Sequence, residues 1–106
     1  MINIHQLTEQ YFKCFQEKDI NGLRELYDEN VKLKDWGVED EGIENMINAN
    51  ADLFKLNYEL NVHKIVVFKN TTYNTISIDF GAEKIEIIDV IEFSDNKIIS
   101  VRAYKG

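Results

Sequence analysis

From Tyr58 to Tyr104 the chain repeats the period of a β-strand four times in succession, and that run constrains the fold more than any other feature. The segments YELNVHKIVVF, TTYNTISIDF, KIEIIDVIEF and KIISVRAY are separated only by the turn-forming groups KNT, GAE and SDN. Four consecutive strands, most simply antiparallel neighbours, therefore occupy the second half of the chain.

Ahead of them the spacing is helical. Ile4, Leu7, Tyr11, Cys14 and Phe15 recur at intervals of three and four, with Gln6, Glu9, Lys13 and Glu17 between them, which predicts an amphipathic helix. The run DINGLRELYDENV predicts a shorter helix, capped by Asp19, with Leu23, Leu26 and Tyr27 on its apolar face and Asp28, Glu29 and Asn30 closing it. VKLKDW then alternates as a strand, with Val31, Leu33 and Asp35 on one face. An acidic loop, GVEDEG, follows it. Ile43, Met46, Ile47, Asn50, Ala51 and Phe54 mark a third helix, whose start is favoured by the negative charge of Glu39 to Glu41. Helices first and strands grouped last describe one α+β domain over residues 1–106, a curved, cone-shaped sheet with three helices packed over one face.

Composition narrows the function. A chain of 106 residues, 44% hydrophobic and 29% charged, can bury one adequate core without a metal or a disulfide. Cys14 has no second cysteine to pair with, and the opening MINIHQLTEQ lacks the regions of a secretory signal, so the cytoplasm is the expected address. No apolar run reaches the roughly 18–20 residues that span a bilayer, so no membrane association is expected. A net charge of −7 argues against nucleic acid, whose affinity rests on Lys and Arg neutralising phosphates. His5 and His63 lie in different elements, and no ligand spacing for a metal and no phosphate-binding glycine motif occurs; neither metal nor cofactor is expected.

One polar residue is out of pattern. On the strand from Ile85 to Phe93, the residues Ile85, Ile87, Asp89, Ile91 and Phe93 share a face, so four large apolar side chains flank one carboxylate. A carboxylate facing an apolar interior becomes protonated, gains hydrogen-bond partners or lines a wet cavity. A pocket position is one reading of Asp89; a local bulge or an open strand edge is the other. Asp35 repeats the oddity at the end of its strand, where an Asp beginning a turn is equally common. Tyr11 lies on the apolar stripe of the first helix, the ordinary place for a core ring whose hydroxyl finds a partner.

The segments FQEKDINGLRELYDENVKLKD and IDVIEFSDNKIISVRAYKG resemble the nuclear transport factor 2-like superfamily, and the resemblance extends over nearly the whole chain. Within it the SnoaL-like and ketosteroid isomerase-like branch is the nearest in pattern. That branch has a Tyr eight residues before the aspartate that opens the second helix, here Tyr11 before Asp19, and an Asp sixteen after it, here Asp35. It also has an Asp four residues before the aromatic that precedes the last turn, here Asp89 before Phe93. The resemblance implies that Asp35 is a general base beside a carbonyl, with Tyr11 and a protonated Asp89 hydrogen-bonding the enolate oxygen. It implies a supporting role for Tyr27, and a pocket that also includes Trp36, Asn50, Phe54, Ile87 and Ile91. Asn50 stands where some members have a further tyrosine, and Trp36 where a proline follows the base.

Three functions are thereby in view. The first is an isomerase that moves a proton on a small apolar carbonyl compound; the second is a non-catalytic pocket or dimerising module. The third, epoxide hydrolysis or ring closure, needs His or Arg partners that are scarce here. Relatives pair through the open sheet face, so a homodimer is expected through Tyr73, Thr75, Ser77, Ile88, Val90, Ser100 and Tyr104.

Overall fold

Alternation in the second half of the chain produces the strands it predicts. In the computed structural model, which describes residues 3–106, β3 (Glu59–Phe68), β4 (Thr71–Asp79), β5 (Lys84–Ser94) and β6 (Lys97–Lys105) pair antiparallel in sequence order. Two further strands, β1 (Tyr27–Lys34) and β2 (Glu39–Glu41), complete a curved six-stranded sheet of order β2-β1-β6-β5-β4-β3. The β1–β6 pair is parallel, which makes the sheet mixed. Three helices, α1 (Ile4–Glu17), α2 (Ile20–Leu26) and α3 (Ile43–Phe54), cover its concave face. None of them is long and apolar enough to cross a membrane.

The helix ends follow from local chemistry. Asn3 and Gln6 form a reciprocal capping box at the start of α1, and Lys18 closes it in the left-handed region. Asp19 caps α2 by accepting the Gly22 N–H at 2.9 Å. The helix ends at Leu26, four residues before the expected close at Asn30, because Tyr27 is already extended (φ −82°, ψ 140°) and pairs with Ile98. The turn residues Asp28 to Asn30 instead form an irregularity inside β1, where Asp28 accepts the Asn30 N–H at 2.8 Å.

The acidic segment is also corrected. Glu39 to Glu41 do not sit in a loop; they form β2, with Lys32 facing Glu41 and Lys34 facing Glu39. Opposite charges at facing positions favour such a pair, which apolar alternation cannot reveal.

Curvature comes from an extra residue. The register of β3 on β4 slips between Val62 and Lys64, leaving His63 as a bulge that bends the sheet. Its Nε2 lies 3.0 Å from the Ser77 Oγ, so Ser77, expected on the open face, is fully buried. Tyr73, Ile88 and Tyr104 on that face are exposed. The core lies on the other side, where the α1 stripe of Leu7, Tyr11, Phe12 and Phe15 meets Ile76, Ile87, Ile91 and Val101.

Candidate functional site

Sheet curvature leaves a cavity of about 240 Å³ between the concave face, α1 and α3. Its wall is apolar apart from a few groups: Tyr11 from α1, Asn50 from α3, Asp89 from β5, and Asp35 and Trp36 just past β1. No lysine, arginine or histidine is on that wall.

Asp89 faces inward because strand period places it between Ile87 and Ile91, both buried. It is mid-strand and opposite Asn74 on β4 and Ala103 on β6, so neither an edge nor a bulge accounts for it. The residue is 7% exposed, and its carboxyl makes no hydrogen bond with the described residues. Burial, and then the charge of Asp35, push its carboxyl up to about 7. The raised value keeps the proton on Asp89 at a pH where an ordinary aspartate has lost it, and an acid can donate where a carboxylate cannot.

Tyr11 is buried, and its ring meets Phe12, Phe15 and Tyr27 edge-on. Burial raises its hydroxyl well above the usual tyrosine value, and the neighbouring charges of Tyr27 and Asp89 raise it further, so it remains a donor. Tyr27 is raised too, chiefly by burial. The Tyr27 hydroxyl donates to Asn50 Oδ1 at 2.6 Å, which holds α3 against β1.

Asp35 belongs to a turn and to the cavity wall at once. Its Oδ1 accepts the N–H groups of Gly37 and Val38, each at 2.7 Å, and so forms the turn that leads into β2. Among the described residues nothing donates to its Oδ2, and the side chain lines the cavity. The turn reading and the pocket reading of this residue are both correct descriptions of its position.

Of the residues predicted for the site, Asp35, Tyr11, Asp89, Trp36, Asn50 and Ile87 meet on one wall. The other three do not. Tyr27 lies behind the wall and touches it through Asn50 and the Tyr11 ring. Phe54 packs edge-on against Phe15 with centroids 5.5 Å apart, and Ile91 is fully buried in the core. Sequence reasoning missed the wall contributed by Phe12, Phe15, Leu60, Ile76, Ile78 and Phe80. It also missed Asn74, fully buried on β4. The signal for Asn74 was present: Thr72, Asn74, Ile76 and Ile78 alternate on one face, so Asn74 is out of pattern as Asp89 is.

The site can supply two hydrogen-bond donors and a carboxylate oxygen to one small, mostly apolar guest. The family model described as a SnoaL-like domain matches residues 8–101. No curated protein matches the chain. Solved structures of the same nuclear transport factor 2-like fold include a protein of unknown function from Cytophaga hutchinsonii, at TM-score 0.88 and 18% identity, covering 100% of this chain and 92% of that one. A candidate ketosteroid isomerase from Kribbella flavida has TM-score 0.88 and 15% identity, covering 94% and 75%. An epoxide hydrolase from M. tuberculosis has TM-score 0.78 and 16% identity, covering 95% and 80%.

Proposed function

The chain belongs to the family of SnoaL-like domains, and from that premise we propose that it is a small-molecule pocket protein acting as a ketosteroid isomerase-type enzyme on a compact carbonyl compound. The observation that carries this reading is Asp89, a buried carboxyl held up to about 7 on the same cavity wall as Tyr11 and Asp35.

In this reaction the substrate carbonyl oxygen lies within hydrogen-bond reach, about 3 Å, of the Tyr11 hydroxyl and the protonated Asp89. Asp35 Oδ2 takes a proton from the carbon beside the carbonyl, and the electron pair of that C–H bond moves to give an enolate. The two donors stabilise the developing negative charge, and in a site this apolar they do so more strongly than water would. Asp35 then returns the proton two carbons further along the conjugated system, so a double bond has moved and no atom is gained or lost.

Size and charge limit the substrate. A cavity of about 240 Å³ is below the roughly 300 Å³ at which ordinary ligand pockets begin. A cavity of this size suits a monocyclic or short-chain ketone rather than a four-ring one. With two aspartates and no cation on the wall, an anionic substrate is disfavoured. A binding-only role draws support from the mouth, where Trp36 is 52% exposed and leaves the site open to water.

The test is a panel of monocyclic β,γ-unsaturated ketones, followed by the absorbance of the conjugated enone, with Asp35→Asn alongside the unmodified chain. Turnover that falls in Asp35→Asn supports the isomerase. Saturable quenching of Trp36 without enone formation anywhere in the panel would leave the binding role in its place.

A further inference from the structure

We propose that Asn74 is a positioning residue for Asp89, its Oδ1 serving as the acceptor for the hydroxyl of the neutral Asp89 carboxyl across the β4–β5 pair. The first support is register. Asn74 and Asp89 are direct partners on antiparallel strands and share the inner face. Side chains so paired have Cβ atoms about 4.5–5.5 Å apart, within reach of each other for residues of this length.

Orientation is the second support. The Asn74 Nδ2 donates to the Thr72 Oγ1 at 3.1 Å and to the backbone carbonyl of Asp89 at 3.2 Å. A backbone carbonyl only accepts, so the inverted amide would set oxygen against oxygen; the nitrogen is identified by its partner. The Thr72 hydroxyl, accepting from Nδ2, has its own proton left for Thr8 Oγ1 at 3.0 Å. Asn74 is thus tied through Thr72 to α1, and its amide plane is fixed from the helix side of the core.

What remains is an orphaned acceptor. Asn74 Oδ1 is fully buried and has no hydrogen-bond partner among the described residues. Such orphans are rare in folded proteins. Asp89, its partner across the strands, lines the cavity, and its carboxyl makes no side-chain hydrogen bond with the described residues. Two acceptors cannot satisfy each other, but a carboxylic acid and an amide oxygen can. One proton on Asp89 gives Asn74 Oδ1 a donor, and losing it leaves the amide oxygen orphaned again.

Asp35 beyond β1 is the titratable group whose charge raises the Asp89 carboxyl, and the charge of Asp89 in turn raises Tyr11 on α1 and Tyr27 on β1. Asn74 is the contribution of β4. The inference rests on the same site but concerns the protein without ligand: a carboxylic acid has a single O–H, so a bound carbonyl oxygen would take over the proton that Asn74 Oδ1 accepts before a guest arrives, and the bond to Asn74 is measurable whether or not turnover occurs.

The experiment is a pH titration of the side-chain carboxyl ¹³C resonances of aspartate-labelled protein, with the Asp89 signal identified by its loss in Asp89→Asn. A hydrogen bond accepted from the neutral form raises the titration midpoint, so Asn74→Leu should lower it by about one pH unit or more. If burial alone held the proton, replacing an amide by a hydrocarbon would leave the midpoint unchanged or raise it, and the proposal would fall. Should Asn74→Leu not fold, the comparison of Asp89→Asn with Asp89→Leu replaces it. The carboxamide of Asp89→Asn supplies a permanent N–H to Asn74 Oδ1, whereas the leucine leaves it orphaned. The unfolding equilibrium constant of Asp89→Asn should be about tenfold smaller than that of Asp89→Leu; equal values, or the reverse order, overturn the assignment.

Discussion

Replacing Asp89 by asparagine should stabilise the protein at neutral and alkaline pH and leave it nearly unchanged in acid. In the fold the carboxyl is held at about 7, first by burial and then by the charge of Asp35, against 3.8 for an ordinary aspartate. A group raised in this way contributes its full stability below the unfolded value. That contribution drains away as pH rises from about 4 to about 7, because over this range the folded chain keeps a proton that the unfolded chain has released. Three pH units at about 1.4 kcal/mol each give a loss of about 4 kcal/mol. Water entering beside the ionised carboxylate reduces the loss toward about 2 kcal/mol, still a large part of the 5–15 kcal/mol, roughly, that holds a domain together. Asparagine has nearly the same shape and no charge to desolvate. The assay is urea unfolding of both chains, followed by far-ultraviolet circular dichroism between about pH 4 and pH 8; groups common to both chains cancel in the difference. The advantage of Asp89→Asn should grow by about 2–4 kcal/mol across that range. Parallel curves would refute the reasoning, and an advantage that shrank with pH would show that the fold favours the ionised carboxylate.

Asp35→Asn keeps an Oδ1 able to accept from Gly37 and Val38, so stability should change by less than about 0.5 kcal/mol while any isomerase turnover falls by about 10²–10⁴. Asp35→Ala loses the turn as well, and should cost about 1–3 kcal/mol in denaturant unfolding. Tyr27→Phe leaves Asn50 Oδ1 without its donor, which predicts a loss of about 1–3 kcal/mol and a visibly lower melting temperature. Gly22→Ala would place a Cβ 2.7 Å from Asp19 Oδ2 and 2.8 Å from Cys14 Sγ. Displacing the Asp19 cap should then cost about 1 kcal/mol, and an unchanged melting curve would show that Asp19 can shift without losing it.

The four long strands were legible because each runs nine residues or more between turn-forming groups, and the alternation along β5 exposed Asp89. The first and third helices were legible because their stripes are long. The α2–β1 boundary was not, since Tyr27 to Asn30 suit a helix end and a strand start equally well until Ile98 supplies a partner. β2 was hidden because its residues Glu39, Asp40 and Glu41 form a strand only through the charges opposite them. At the site, the three polar positions sit on chain patterns that a sequence carries. Which apolar neighbours reach the cavity depends on the bend at His63, a register slip that no period reveals. This is why Phe54 and Ile91 were expected on the wall and Phe80 and Leu60 were not.

The place of β6 has a consequence for assembly. β6 lies between β1 and β5, parallel to one and antiparallel to the other. A chain made from its N-terminus therefore contains Asp35 and Asp89 before it contains the strand that joins their strands into one sheet. Hairpins β3–β4 and β4–β5 can close from local contacts, while β1 has only the three residues of β2 to pair with until β6 arrives. β6 is thus the strand through which the two carboxyl groups come to share one wall, although the residues that carry them lie far apart in the chain.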